Sequence, residues 1–422
     1  MAGVWLLGIA LIVGLAALAL LADSSEGGVR PGRGEAGLLR GEARPPLSEE
    51  AARAQLAQIA AQCRTPEAWQ ARAARLRAGI LAAADLPHGA SPGRRGFIAA
   101  DGETRGPLRP IVHSRRTHDG YTVENVALET LPGFWATANL YRPLGRAGPR
   151  PAVLCTHGHH REGRFSEAQQ RRAATLARMG AVVLSISMVG FNDCDQTDHR
   201  RPMSLTLQLW NNIRALDFLC SLKDVDAKRI GVTGSSGGGT QTFLLAAVDE
   251  RVAASVPVVM VSAHFPGGCV CESGLPIHEG EGYVTNNAEI AALAAPRPML
   301  LVSCGKDWTK NTPAVEFPFI RRAYAFCGAE DRVENLHLAQ EGHDYGPSKR
   351  QGAYRFLARH MGLDLAAVQG ADGAVDESKS LVEPAAALRV FDEAHPRPAH
   401  ALSGTEGVAS ALAAARRPKQ SD

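Results

Sequence analysis

The sequence predicts an α/β fold: a doubly wound, mostly parallel sheet with helices on both faces, led in by antiparallel strands. Three observations carry this. From Pro151 onward apolar strands alternate with helical periods, and before it three segments of alternating polarity are separated by turn signals. The third of the apolar strands, "RIGVTGS", then runs straight into a glycine-rich turn and a helix. Parallel strands need crossovers and are covered on both faces, which is why they read as continuous apolar runs rather than alternating ones.

The elements follow in order. Residues 1–22, within "MAGVWLLGIALIVGLAALALLADSS", carry no charged side chain over a length that would span a bilayer as a helix, and are expected to be an export signal or a membrane anchor. Ala17-Leu18-Ala19 has the small-x-small form of a cleavage site, although no Lys or Arg precedes the apolar run. The chain is therefore expected to be exported, whether periplasmic, secreted or anchored outside the cytoplasm. Residues 23–46 are rich in Gly, Arg and Pro and read as a flexible linker, and 47–108 as a helical extension with an Ala/Leu stripe from Ser48 to Ala84. "RPIVHSRRT", "YTVENVALET" and "FWATANLYRP" are the antiparallel strands, split by His118-Asp119-Gly120 and Leu131-Pro132-Gly133.

Strands "PAVLCT", "AVVLSIS", "RIGVTGS", "VAASVPVVM", "PMLLVSC" and "VENLHLAQEG" complete the sheet, with helices near 166–179, near 203–222 and after Gly238. Residues 109–363 form the catalytic domain on this reading. Residues 364–422, Ala-rich and polar, are expected to be a loosely ordered tail.

Composition narrows the function classes. The chain has 422 residues, 45% of them hydrophobic but only 5% aromatic, so its core must be built from Ala, Val and Leu. Lys and Arg number 46 against 43 Asp and Glu, scattered rather than striped, which argues against a nucleic-acid partner. Of the eight cysteines, Cys155, Cys220 and Cys304 lie in apolar runs and read as small hydrophobes. Cys63, Cys194, Cys269, Cys271 and Cys327 are the pool for disulfides if the chain is exported.

The chemistry starts at "RIGVTGSSGGGT", residues 229–240. A nucleophile elbow needs glycine two residues before and two after the nucleophile, because the strand must turn sharply into a helix. Gly234 and Gly238 satisfy that frame for Ser236, whereas centring it on Ser235 puts Thr233 where glycine is wanted. A plain helix N-cap is the competing reading, and a phosphate loop fails because no Lys follows in the required place. A serine hydroxyl needs a base and the base an orienting carboxylate, in the chain order Ser, Asp, His. Asp307, in the loop after "PMLLVSC", and His343, in the loop after "VENLHLAQEG", occupy those places. Asp344, Asp331 and the strand residue His337 are weaker choices.

The oxyanion that forms needs two N–H donors. Gly237 supplies one, and the His157-Gly158-His159-His160 turn after "PAVLCT" the other. Those histidines could instead bind a metal with Cys269, Cys271 or His278, but no HxxxH or CxxC pair is present, and neither metal nor cofactor is expected.

From about Arg109 to Leu363 the chain resembles bacterial serine esterases of the α/β-hydrolase superfamily, in particular the acetylxylan-esterase-like set. The resemblance lies in "DGYTVENVALETLPGFWATANLYRP", "THGHH", "GVTGSSGGGTQTFLLAAVDERV", "CGKDWTKNT" and "EGHDYGPSKR". It implies that Ser236, Asp307 and His343 form a catalytic triad, with Gly237 and His159 as oxyanion donors. After the nucleophile stands Gly237, where acetylxylan and cephalosporin deacetylases carry Gln and glucuronoyl esterases Arg.

Residues 261–297 are too long for an ordinary loop and would overhang the triad as part of a substrate cleft. With His160 and Glu272 assigned to that cleft, and Arg161, Asp193, Asp195 and His199 in its polar walls, the expected substrate is a short-chain, acetyl ester of a carbohydrate or similarly polar alcohol. An amidase or peptidase with the same triad and a noncatalytic polysaccharide-binding relative are the alternatives.

Overall fold

The computed structural model describes residues 42–87, 105–145 and 147–417. The apolar segment 1–22 and most of the 23–46 linker lie outside the described residues. Among the described residues, no helix is long and apolar enough to cross a membrane.

Two N-terminal helices come first, α1 (Glu49–Gln62) and α2 (Pro66–Ala84). The Ala/Leu stripe reads as one helix but breaks at Thr65-Pro66: Thr65 caps α2 through its hydroxyl, and Pro66 takes the first-turn position, where its missing N–H costs nothing. Three strands follow, β1 (Ile111–His118), β2 (Tyr121–Leu131) and β3 (Phe134–Pro143), joined at Gly120 and Gly133, both with positive φ. Then come β4 (Arg150–Cys155), α3 (Glu167–Arg178), β5 (Val182–Ile186), α4 (Ser204–Ser221), β6 (Val225–Ser235), α5 (Gly237–Val248) and β7 (Val252–Val258). After the 261–297 insertion the chain continues through β8 (Met299–Cys304), α6 (Glu316–Ala325), β9 (Val333–Leu338), α7 (Pro347–Met361) and, near the end, α8 (Gly404–Ala415).

These strands form one sheet in the order β1-β2-β3-β5-β4-β6-β7-β8-β9. Pairing is antiparallel from β1 to β5 and parallel from β5 through β4 to β9. The fold is the expected α/β fold. Alternate residues of a strand face opposite layers. In β4, Ala152 and Leu154 join the layer made by α2, α4 and α5, while Val153 and Cys155 join the layer made by α3 and α7. Every loop that leaves the carboxyl end of a parallel strand therefore opens on one edge of the sheet, where ligands bind in such folds.

The segments on either side of 109–363 belong to the same body. Leu56, Leu76 and Ile80 of the extension share a core with the sheet, and Arg77 donates to the carbonyls of Ala247 (3.0 Å) and Leu293 (2.5 Å).

The tail corrects its expectation. Residues 364–417 are packed and not loose: Leu388 joins the α3 and α7 layer, Val390 packs with Ala127 and Trp135, and Val408 and Leu412 of α8 join the opposite core. A few apolar side chains suffice because polar anchors fix the intervening backbone. Arg164 and Asp193, both buried, form a two-pronged ion pair at 2.7 and 3.2 Å. Arg164 also donates to the Leu388 carbonyl, and Asp193 accepts the Val390 N–H at 2.6 Å.

Asp193 thus lies in the protein interior and not in a cleft wall, a second correction. Burial opposes its charge, but Arg164 holds its carboxyl down to about 2. A depressed carboxylate stabilises the fold above its unfolded value of about 3.9 and loses that contribution as pH falls through its folded value. Asp193→Asn, which strands the buried guanidinium, is expected to destabilise the fold by about 3–5 kcal/mol at pH 7. Between about pH 4 and pH 2 the variant should also lose less further stability than the parent. Urea melts at pH 7 and pH 3 check both; a loss under about 1 kcal/mol at pH 7 would count against the pair as an anchor.

Candidate active site

Ser236 sits between β6 and α5 with φ 56° and ψ −128°, a backbone conformation that L residues rarely adopt and one associated with functional strain. The neighbouring glycines are sterically required. A Cβ at Gly234 would lie 2.1 Å from Thr156 Oγ1, and one at Gly238 would lie 2.8 Å from the His157 backbone. Ser235 is the last residue of the strand, so the turn projects Ser236. Gly237 is the first residue of α5, and its N–H has no acceptor within the helix.

The His157–His160 turn lies directly against this elbow. A Cβ at Gly158 would be 2.9 Å from Ser236 Cβ, and one at Gly237 would be 2.6 Å from His159 Cε1. His157 fixes the turn from below: its Nε2 accepts the Met188 N–H at 2.9 Å, so Nδ1 carries the proton and donates to the Gly158 carbonyl at 2.9 Å. Burial drives the His157 pKa down to about 3, which keeps this tautomer neutral.

Asp307 and His343 are brought together as expected, with Asp307 Oδ2 2.7 Å from His343 Nδ1. The other oxygen, Oδ1, accepts from both the N–H and the hydroxyl of Thr309, each at 2.6 Å. Burial alone would raise the Asp307 pKa, but the bonds from His343 and Thr309 outweigh it and hold the carboxyl below its ordinary value. His343 packs on Trp308 with ring centroids 4.3 Å apart, and Trp308 in turn lines a cleft of about 1140 Å³ with Ser236. Asp344 instead pairs with Lys349, and His337 lies in β9 bonded to Ser303.

Part of the insertion after β7, from Phe265 to Glu272, lines the cleft. The insertion contains the short helices Val270–Ser273 and Asn287–Ala292 and a hairpin of Glu279–Gly280 with Tyr283–Val284. Glu272 lines the cleft as expected, with Asp195, His199 and Cys269. Burial raises the Glu272 pKa, and its Oε2 accepts the Cys269 N–H at 3.0 Å. His160 is not among the cleft-lining residues; it packs beside His157 and faces Glu162 at 4.0 Å. Arg161 does not line it either. His278 is buried against Asn287, apart from the other histidines. All eight cysteines are free thiols, so no disulfide forms from the expected pool.

The set of turn histidines with Cys269 and Cys271, weighed from sequence as a metal site and not favoured, lacked one member. His199, read from sequence as a wall residue, meets His159, Cys269 and Cys271 in a tight cluster at the cleft. These residues come from three loops, and no local spacing announces their meeting.

Comparison with known proteins adds the family. The solved structure named Methylesterase BT1017 is 38% identical, matching 87% of this chain and 80% of its own, with a TM-score of 0.78. The chain belongs to the α/β-hydrolase esterases. That match extends beyond 109–363, in keeping with a packed extension and tail. The family model described as acetyl xylan esterase matches residues 207–274 of this esterase, the stretch holding the elbow and the Cys269–Glu272 helix start. YtaP of Bacillus subtilis (strain 168), named as a hydrolase, is 29% identical over 268 residues, 57% of this chain and 88% of its own. A glucuronoyl esterase from Solibacter usitatus shares the fold at 18% identity and a TM-score of 0.50, over 67% of this chain and 91% of its own. The esterase is thus a carboxylic ester hydrolase.

Proposed function

We propose that this esterase works through Ser236, His343 and Asp307 and removes short ester groups, acetyl first, from a carbohydrate or similarly polar alcohol. The observation that carries the reading is the strained Ser236 backbone at the apex of a strand-to-helix turn, in a cleft also lined by Trp308, on which the His343 ring of the Asp307–His343 pair packs. Ser236 Oγ attacks the ester carbonyl while His343 Nε2 takes its proton. Asp307 keeps the other imidazole proton on Nδ1, and the N–H groups of Gly237 and His159 receive the developing oxyanion. The alcohol leaves with a proton from His343, and water then releases the acid by the same steps in reverse.

Support for a polar substrate comes from the lining. Asp195, Thr197, Asp198, His199, Arg200 and Glu272 line the cleft together with an apolar set of Phe191, Phe265, Val270 and Trp308, so hydrogen-bonding groups for a hydroxyl-rich alcohol stand beside room for a short acyl group. Across a p-nitrophenyl ester series, kcat/KM is expected to fall at least about tenfold from acetyl to octanoyl, each tenfold being about 1.4 kcal/mol. A rise with chain length would point to a lipase-like enzyme and end the acetyl reading.

A second reading has its own support. The 38% identical relative is named a methylesterase, so the ester cleaved could be a methyl ester of a carbohydrate acid. Measuring acetate released from acetylated xylan against methanol released from a methyl-esterified polyuronate separates the two. The uncharged run of residues 1–22 supports work outside the cytoplasm, and N-terminal sequencing of the protein from cell fractions tests that reading.

A further inference from the structure

His159, His199, Cys269 and Cys271 each direct one ligand atom into a space where all four lie within 4.8 Å of one another. His159 Nε2 is 3.0 Å from His199 Nε2 and 3.1 Å from Cys271 Sγ, and Cys269 Sγ is 3.3 Å from His199 Nε2. Zinc bonds of about 2.0–2.1 Å to nitrogen and 2.3 Å to sulfur set tetrahedral edges of about 3.3 Å for N···N and 3.5 Å for N···S. The observed edges fall within a few tenths of an ångström of those lengths.

Proton positions favour a cation at the centre. His199 Nδ1 lies 2.6 Å from the Val189 carbonyl, which can only accept, so Nδ1 carries a proton and Nε2 is the nitrogen turned inward to ligate. His159 Nδ1 faces the buried Glu272 carboxylate at 4.0 Å, and its Nε2 also points inward. His199 therefore has the hydrogen-bonded oxygen partner on its outward nitrogen that orients ligating histidines, while the Glu272 carboxylate faces His159 at ion-pair range. Glu272 also accepts the Cys269 N–H, which ties the two-cysteine turn to the same support.

We propose that His159, His199, Cys269 and Cys271 bind one zinc ion in a closed, tetrahedral, structural site beside the catalytic cleft. Two thiolates balance the charge of the ion, and two imidazoles complete a Cys₂His₂ set suited to zinc over harder cations. With four protein ligands no position is left for water, so the ion holds structure and takes no part in hydrolysis. It joins three loops: the His157–His160 turn after β4, the loop after β5 that carries His199, and the insertion after β7. The cysteines stand 70 and 112 residues from their histidine partners in sequence. Without the ion, nothing covalent would hold the insertion against the turn that faces Ser236.

The test uses the full chain, purified without chelator from zinc-supplemented medium, with metal measured by mass spectrometry of the elements. One zinc per chain is expected, with Cys269 and Cys271 resisting alkylation until a chelator is added. Chelation should lower the melting temperature and added zinc restore it. His199→Ala and Cys271→Ser should lose the zinc, while Cys220→Ser, remote from the cluster, should keep it. Should the variants fail to fold, chelated parent protein titrated with zinc against a chromophoric competitor should give an apparent Kd below about 10⁻⁷ M. Zinc below a tenth of an equivalent by both routes overturns the site, as does a Cys269–Cys271 disulfide found as a 2 Da mass loss in the native protein.

Discussion

Ser236→Ala is expected to lower kcat for ester hydrolysis by up to about 10⁶-fold, the loss seen when a triad nucleophile is removed, and to leave the protein folded. The fold should survive because both side chains begin with Cβ. Whatever strain the positive φ at position 236 imposes is present in parent and variant alike. Ser235→Ala is the control. Ser235 ends β6 in register with Val258, and losing its hydroxyl should cost less than about tenfold, or 1.4 kcal/mol of barrier. A fluorophosphonate probe adds a chemical readout: its label should map to Ser236 in the parent and vanish in Ser236→Ala. Equal losses for the two variants, in folded protein, would withdraw the nucleophile from Ser236.

The reach of sequence reading here follows how local each signal is. The glycine frame around Ser236 was legible because a tight turn excludes Cβ at fixed offsets, and Gly234 and Gly238 bear this out by what their added Cβ atoms would strike. Asp307 and His343 were legible because parallel strands deliver their following loops to one edge, so a residue's place after a strand predicts its place in space. The strands and the helices after β4, β5 and β6 were legible from period alone.

What failed had no local signal. Asp193 looks like any polar loop residue until Arg164 is found beneath it, 29 positions away. The tail reads as loose because its composition is Ala-rich and polar, yet Leu388, Val390, Val408 and Leu412 are buried at well-spaced points along it. His160 was placed in the cleft by its neighbours in sequence, but it faces Glu162 and packs beside His157 instead. The His159, His199, Cys269 and Cys271 cluster is the extreme case, since its members meet only through tertiary structure.

The second large effect is expected at Asp307, and hydrogen-bond direction determines it. In the parent, Thr309 donates twice to Oδ1, which obliges that atom to be an acceptor, and Oδ2 accepts the proton on His343 Nδ1. In Asp307→Asn the amide oxygen must therefore stay with Thr309, which turns the NH₂ toward His343. Nδ1 now meets a donor and must become an acceptor, so the imidazole proton moves to Nε2. On the proposed mechanism that is the nitrogen that accepts the proton of Ser236. The base is blocked by its own tautomer while the site keeps its shape. A fall of about 10⁴-fold in kcat is expected, the size associated with a wrong tautomer in such triads. KM and fluorescence-monitored melting should change little, because volume and burial at position 307 are conserved. Adding Thr309→Val should not relieve the block, because the backbone N–H of residue 309 still donates to the amide oxygen and keeps the NH₂ turned toward His343. Turnover of Asp307→Asn within about tenfold of the parent would move the orienting role to another group.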